Sequence, residues 1–308
     1  MKPERHWVNL SVTPSEEARA LGFDNHSFNR MLVRTAEFLL FHDCNVAFGH
    51  DWRPDGVMRA VSELAETAAS GGSLSELPGS GAQMLNLVPG STAGLSQEAI
   101  DTANAASGVL RVHALQDLAD PGNHENLYDS AAGTAIAQML GSLNACPSAL
   151  TGVCELWILR YALSMLSPRG GRVCIGGKTS GYGGLYAGIA EEAFFALRHG
   201  QPLYVVGGFG GAARVVASVL AGERQSRAAC LKPKHEIDPN ADTVPVSLAH
   251  RVGIPLDGLE DALREFDLGK LHANNGLTPD QNRRLFSCTD IEEALGLVML
   301  GLRGTSTS

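Results

Sequence analysis

Short apolar runs alternate with longer amphipathic stretches along the chain, which is typical of an α/β protein. Strands are predicted at residues 7–12, 45–48, 84–88, 109–114, 172–175 and 202–206. Helices are predicted at residues 27–41, 57–68, 97–106, 130–143, 148–165, 189–198, 212–220, 256–266 and 290–302. The expected fold is a doubly wound, Rossmann-like, mostly parallel sheet with helices on both faces.

Two helix starts are predicted from capping residues. Thr13-Pro14-Ser15-Glu16 has the form of a capping box with proline at the first helical position, and Thr289 with Glu292 forms a second box. The apolar runs are spread evenly and no charged or low-complexity linker interrupts them. One domain is therefore expected over residues 1–308, with a less regular extension from about residue 222.

Composition narrows the class of protein. The chain of 308 residues carries a formal net charge of -9, and no window concentrates Lys and Arg, so a nucleic-acid surface is not expected. No apolar run approaches the ~20 residues of a membrane span and the N-terminus has no signal-peptide pattern, so we expect a soluble, cytoplasmic protein without membrane contact.

Cysteine and histidine spacings do not indicate a metal site. The six cysteines include no CxxC pair and mostly lie in apolar runs, which favours buried thiols over disulfides or zinc. The histidines show no HxH, HxxxH or HExxH spacing, which favours surface or core histidines. Neither a metal nor a cofactor is expected.

Three glycine-rich loops each follow a predicted strand and lead into a predicted helix. These loops are residues 48–56, 176–188 and 207–213. In a parallel sheet such loops meet at one edge, where backbone N–H groups and helix N-termini attract phosphate. The GxGxxG fingerprint is missing, and Gly176-Gly177-Lys178-Thr179 lacks the first glycine of a Walker A loop, which disfavours kinases, NTPases and ordinary NAD dehydrogenases.

Polar and aromatic residues beside the loops have both functional and structural interpretations. Lys178 and Arg53 could pair with phosphate or be solvated cations, and Asp51 could bind a ribose or cap a turn. Tyr182 and Tyr186 could stack on a base or pack the loop.

Two glutamates follow the second loop at the start of a helix. First-turn carboxylates complement the helix dipole, which alone would explain Glu191 and Glu192. A carboxylate beside a phosphate cradle could also stabilise an oxocarbenium-like centre during N-glycosidic cleavage.

Candidate ligand-binding residues come from all three loops. They are Gly49, Asp51, Arg53, Gly56, Gly176, Gly177, Lys178, Gly181, Tyr182, Gly183, Gly184, Gly188, Glu191, Gly207, Gly208, Phe209, Gly210 and Gly211.

Gly188-Ile189-Ala190-Glu191-Glu192, standing after Gly176-Gly177, resembles the PGGxGTxxE signature of the SLOG superfamily. This superfamily includes the Lonely Guy phosphoribohydrolases, DprA-like proteins and the nucleotide-sensing domains of TRPM channels. The likeness is greatest to stand-alone or TIR-linked prokaryotic SLOG domains associated with conflict systems, and it covers essentially the whole chain. It runs through LSVTPSEEARALGF, VAFGHDWRPDGVMRAV, IGGKTSGYGGLYAGIAEEA, PLYVVGGFGGAARVV and NGLTPDQNRRLFSCTDIEEALGLVMLGL.

The resemblance implies roles for particular residues. Glu192 matches the glutamate that is catalytic in the hydrolase branch, and Gly176 and Gly177 match the phosphate-binding glycines. Three features depart from the pattern: Ile189 replaces the signature threonine, the loop is longer, and Cys154 stands where the related pattern carries an arginine that partners the glutamate. We therefore expect the helix at residues 148–165 to lack that arginine partner.

Three functions follow from these observations. The first is a sensor that binds an NAD-derived or nucleotide second-messenger ligand of the ADP-ribose type, acting as a homo-oligomer or with an effector encoded nearby. The second is a nucleoside-monophosphate phosphoribohydrolase or deoxyribosyltransferase-like enzyme that uses Glu192. The third is a degenerate scaffold that acts through oligomerisation.

Overall fold

The computed structural model describes residues 6–49, 61–62, 64–65, 83–90, 97, 100–101, 104, 109–120, 127–166, 170–225 and 228–305. The predicted helices at 57–68 and 97–106 and the glycine-rich loop after residue 49 lie wholly or largely outside these residues.

Within these described ranges, six parallel strands form one sheet in the order β4-β3-β2-β1-β5-β6. The strands are β1 (His6–Thr13), β2 (Cys44–Gly49), β3 (Met84–Val88), β4 (Leu110–Ala114), β5 (Gly171–Gly176) and β6 (Leu203–Val206). Each agrees with a predicted strand to within one or two residues at each end. The predicted α/β, Rossmann-like architecture is confirmed.

Eleven helices flank the sheet within the described part of the chain. They are α1 (Glu16–Ala20), α2 (Asn25–Phe41), α3 (Ser130–Ser142), α4 (Ser148–Met165), α5 (Gly188–Arg198), α6 (Gly211–Leu220), α7 (Val244–Val252), α8 (Glu260–Arg264), α9 (Leu268–Asn275), α10 (Pro279–Ser287) and α11 (Ile291–Thr305). Short 3-10 turns occur at Leu115–Ala119, Leu143–Ala145 and Ala229–Leu231.

Side chains of β1 alternate between two apolar layers, one on each face of the sheet. Val8 and Leu10 lie in the layer that contains α2 and α11. Trp7 faces the opposite layer, which contains α3, α4, α5 and α6. Asn9 lies on the α4 side and donates a 2.7 Å hydrogen bond from Nδ2 to the Leu163 carbonyl. The α4 side of the central strand is therefore partly polar.

The strand order reverses direction at β1. Strands β2 to β4 extend from one side of β1, and β5 and β6 extend from the other. The crevice at such a reversal, at the carboxyl ends of the strands, is where open α/β sheets bind ligands. At this edge the Gly177 N–H donates a 2.7 Å hydrogen bond to the Thr13 carbonyl. Gly176 has φ of 70°, and a Cβ there would lie 2.3 Å from the Thr13 oxygen. The left-handed backbone and the lack of space for a side chain both favour glycine.

Both predicted capping boxes are wrong in detail. Ser15 is the N-cap of α1, accepting a hydrogen bond from the Ala18 N–H, so Pro14 precedes the cap and does not begin the helix. At α11 the Asp290 carboxylate accepts 2.9 and 3.4 Å hydrogen bonds from the first-turn N–H groups of Glu292 and Glu293. In both places the polar side chain directly before the helix accepts from the free N–H groups of the first turn.

The region after residue 222 contains more helix than the sequence pattern predicted. The helix predicted at 256–266 is the shorter α8, and α7, α9 and α10 were not predicted. Gly253 caps the end of α7 and Gly276 caps the end of α9, both with a left-handed backbone, and α10 begins with a Thr278–Gln281 capping box. Asn275 donates a 2.8 Å hydrogen bond to the Leu203 carbonyl, which ties this region to β6.

All six cysteines are free thiols, and five of them are buried while Cys146 is partly exposed. The prediction of buried thiols therefore holds for five of the six. Among the described helices, none combines the length and the apolar character needed to cross a lipid bilayer.

Candidate functional site

The loop between β5 and α5 is tied to the rest of the fold at its second half. The Ala187 N–H donates a 3.1 Å hydrogen bond to the Cys230 carbonyl, and the Lys234 N–H donates a 2.8 Å bond to the Leu185 carbonyl. Lys234 Nζ also donates to the Tyr182 carbonyl at 2.8 Å. Residues 228–234 therefore pack beside the second half of the loop. Lys178, Ser180, Gly181 and Gly183 of the loop are exposed at the surface.

Helix α5 begins at this loop without a polar cap. Ala187 occupies the N-cap position and contributes no side-chain hydrogen bond. Within the described residues, the first-turn N–H groups of Gly188, Ile189 and Ala190 have no acceptor. Gly188 is partly buried and Ile189 and Ala190 are buried, and N–H groups without acceptors at a helix N-terminus attract anions.

A buried arginine of α4 lies against the start of α5. Arg160 forms an ion pair through Nη1 with Glu191 Oε2, and a Cβ on Gly188 would lie 3.2 Å from its Nη2. The Glu191 side chain has no exposure, and its Oε1 accepts a 2.7 Å hydrogen bond from the Tyr186 N–H. Glu191 thus joins α4 to the end of the loop.

Glu192 lies between two arginines. Its Oε1 is 3.7 Å from Arg160 Nε, and its Oε2 is 3.7 Å from Arg172 Nη1. The Glu192 side chain keeps 16% of its exposure, whereas the side chains of Arg172 and Glu191 keep 1% and 0%. Of the two glutamates, Glu192 is therefore the one that solvent reaches.

Arg172 extends from β5 beneath these helices and has three neutral hydrogen-bond partners besides its contact with Glu192. Its Nη1 donates to Ser11 Oγ at 3.0 Å, its Nε to Gln201 Oε1 at 3.4 Å and its Nη2 to Ser164 Oγ at 3.5 Å. Burial lowers the pKa of Arg160, an effect that Glu192 opposes. Two arginines and two glutamates balance in charge, which offsets the cost of burying each one.

Gly184 packs directly against the Arg160–Glu191 ion pair. A Cβ on Gly184 would lie 2.8 Å from both Arg160 Nη1 and Glu191 Oε1. Gly184 does not have a left-handed backbone, so its requirement for glycine is one of space.

The start of α6 differs because a protein carboxylate already occupies it. Glu17 of α1 accepts a 2.5 Å hydrogen bond from the Gly211 N–H. A Cβ on Gly210 would lie 2.7 Å from Glu17 Cβ. On Gly207 it would meet the Phe286 carbonyl oxygen at 2.4 Å, and on Gly208 the Cys288 oxygen at 2.0 Å. These glycines permit close packing of protein atoms, and phosphate binding by them stays a prediction.

Several other predicted site residues are fixed by packing. Phe209 is buried in edge-to-face contact with Phe23 and Phe28. Tyr186 is fully buried and donates from its hydroxyl to the Pro255 carbonyl at 2.7 Å, so packing explains it, and a stacking role for this ring is wrong. The Tyr182 hydroxyl donates to the Ala229 carbonyl at 3.2 Å.

The remaining predicted residues fall into three groups. Lys178, Gly181 and Gly183 are exposed on the loop, and Gly181 has φ of 64° with no atom near its Cβ position. Gly49 ends β2, where a Cβ would lie 3.3 Å from Leu159 Cδ2 on α4. Asp51, Arg53 and Gly56 lie outside the described residues.

The expectation that α4 lacks an arginine partner is wrong. Cys154 is buried and contacts Cys146, and Arg160, six residues further along the same helix, lies beside the glutamates. A signal was present in the sequence, because a single arginine within an apolar helix must find a counter-charge when it is buried.

In the described ranges, no group of three or more His, Cys, Asp or Glu residues is arranged to hold a metal ion. The SLOG cluster2 family model matches residues 3–285. The chain belongs to this SLOG family. No curated protein and no solved structure matches this chain. SLOG membership indicates a nucleotide-related function.

The SLOG match includes every element of the site just described. It covers β1, α4, the loop after β5 and α5, and it ends within α10. Helix α11 lies beyond the residues that the SLOG model matches. Its Gly301 packs against Tyr204 of β6, where a Cβ on Gly301 would lie 2.5 Å from Tyr204 Cε1.

Proposed function

We propose that the protein is a nucleotide sensor, which binds an NAD-derived or nucleotide second-messenger ligand of the ADP-ribose type at the edge formed by β1, β5 and α5. The observation that carries this proposal is the uncapped start of α5 with Arg160 beside it. The positive end of a helix dipole favours an anion such as a ligand phosphate, and Arg160 turns Nη2 toward Gly188 while its Nη1 and Nε face Glu191 and Glu192.

The contrast between two helix starts supports a phosphate position at α5. At α6 the Glu17 carboxylate already neutralises the N-terminus, whereas at α5 the partly buried Gly188 stands at an N-terminus with no such cap. Lys178 is exposed at the beginning of the same loop and supplies a further cation. We therefore assign the phosphate to the 184–190 segment in preference to the 207–211 segment.

The state of Glu191 removes one of the two carboxylates as a group for cleavage. Glu191 is fully buried and engaged by Arg160 and a backbone N–H, so it supports the loop and has no free oxygen for a substrate. In this proposal ligand occupancy is passed to a second copy of the chain or to an effector protein.

The test is calorimetry with AMP, ADP-ribose, cyclic ADP-ribose and NAD on the wild type and on Gly188→Ala. The added methyl group would lie 3.2 Å from Arg160 Nη2 and cover the start of α5, and we expect at least about tenfold weaker binding, near 1.4 kcal/mol. Gly152→Ala is the matched control, because a Cβ at this position of α4 meets nothing within 4 Å. Equal affinities for both variants, or no binding to any of the four compounds, would contradict the proposal.

One observation favours N-glycosidic hydrolysis as a second candidate. Arg160 Nε lies 3.7 Å from the partly exposed Glu192, which supplies the arginine and glutamate pairing that the hydrolase branch uses. Under this alternative, incubation with AMP releases free adenine, and Glu192→Gln abolishes the release while retaining the folded circular dichroism spectrum. Tight binding without base release by the wild type excludes the hydrolase.

A further inference from the structure

Two thiols meet at the start of α4. Cys146 Sγ donates a 3.5 Å hydrogen bond to Cys154 Sγ, a distance about 1.5 Å longer than a disulfide bond. Of the six cysteines, Cys146 is the partly exposed one and Cys154 is buried. The contact therefore joins a solvent-accessible sulfur to an inaccessible one.

The local backbone allows the two sulfurs to approach. Cys146 lies in extended conformation, with φ of -76° and ψ of 137°, between the 3-10 turn Leu143–Ala145 and the first residue of α4. Cys146 precedes Pro147 and lies outside the hydrogen-bonded turns of α4, so its sulfur can move toward Cys154 by rotation about its own side-chain bonds. Helical hydrogen bonds of α4 need not break.

We propose that Cys146 and Cys154 are a redox modification site, which a peroxide converts to an intramolecular disulfide. The proposal is independent of the proposed function. It adds a covalent restraint to the helix that carries Arg160, less than two turns beyond Cys154.

The chemistry requires a peroxide as the oxidant. The Cys146 thiolate attacks one peroxide oxygen, the O–O bond breaks, and a sulfenic acid and hydroxide form. Cys154 sulfur then attacks the Cys146 sulfur, the S–O bond breaks, and hydroxide leaves and is protonated. In total, two thiols and one hydrogen peroxide give one disulfide and two waters.

The environments of the sulfurs assign the order of these steps. Burial raises the pKa of the Cys154 thiol, and its contact with Cys146 raises it further, so Cys154 does not react first with the oxidant. Cys146 meets the peroxide and Cys154 resolves the sulfenic acid. The second step accelerates as pH rises, because the thiolate is the attacking form.

The test treats folded protein with hydrogen peroxide and measures intact mass and peptide connectivity. We expect the wild type to lose two hydrogen atoms, to yield a peptide cross-link between Cys146 and Cys154, and to recover its mass with dithiothreitol. Cys146→Ser should abolish the cross-link. Cys288→Ser is the matched control, because a serine hydroxyl can retain the 3.0 Å hydrogen bond to the Asp290 carbonyl.

Three results would overturn the proposal. The first is a cross-link that persists in Cys146→Ser, since another pair would then be responsible. The second is stable addition of oxygen at Cys146 without a later cross-link. The third is unchanged mass in folded protein under conditions that oxidise the urea-unfolded chain. Since Cys146 is partly exposed, its serine variant should fold, which circular dichroism verifies before oxidation.

Discussion

Substitution of Gly184 by alanine should destabilise the protein, because a methyl group at this position enters the Arg160–Glu191 ion pair. The new Cβ would lie 2.8 Å from Arg160 Nη1 and Glu191 Oε1, about 0.7 Å inside an ordinary carbon contact of about 3.5 Å. Overpacking costs about 1–3 kcal/mol, and full separation of a buried pair costs about 3–5 kcal/mol. We expect a loss of about 2–3 kcal/mol in the free energy of unfolding.

Thermal unfolding followed by circular dichroism measures this effect. A loss of about 2–3 kcal/mol corresponds to a fall in Tm of roughly 3–5 °C, because the unfolding entropy of a chain of 308 residues is large. Gly183→Ala is the matched control, because its Cβ would meet only Leu156 Cδ1 at 3.5 Å, an ordinary contact. Equal Tm values for the two variants would refute the inference that the Arg160–Glu191 ion pair needs a residue without a side chain at position 184.

Three further changes test other features of the structure. Glu17→Ala should cost about 1 kcal/mol by removing the cap on the Gly211 N–H, whereas Glu16→Ala should not; urea unfolding measures both. Burial lowers the pKa of His199, so the unfolded state binds more protons below about pH 6.5 and stability falls as pH decreases; His199→Gln should reduce this slope of Tm against pH. Asn275→Ala should cost about 2–3 kcal/mol in urea unfolding, because it leaves a β6 carbonyl and a buried backbone N–H without partners.

The strands and the opening of α5 could be predicted because their signals are local. Apolar runs bounded by glycine define β5 and β6, and the family signature places Glu191 and Glu192 in the first turns of α5. The start of α11 was placed to within a residue, although its cap was assigned to Thr289 in place of Asp290. Local chemistry indicates that a cap exists more readily than it identifies which of two adjacent side chains supplies it.

The contacts that define the site depend on chain segments far apart in sequence. Glu17 reaches Gly211 and Arg172 reaches Ser11, and no local period predicts either contact. The place of Arg160 in the site cannot be predicted locally, because its helix is apolar on nearly all sides and has no polar face that would mark a functional residue. Helices α7, α9 and α10 have no clear pattern for another reason, because each is only eight or nine residues long, shorter than the stretch over which a helical period is counted.

The central place of β1 has a consequence for synthesis of the chain. His6–Thr13 is made before its neighbours in the sheet, and the second of them, β5, follows about 160 residues later, which at about 5–20 residues per second takes roughly 8–30 s. Throughout that interval one edge of an apolar strand has no partner, and Ser11 awaits the Arg172 guanidinium. The newly made N-terminal part should therefore need protection from aggregation until Gly171–Gly176 has left the ribosome.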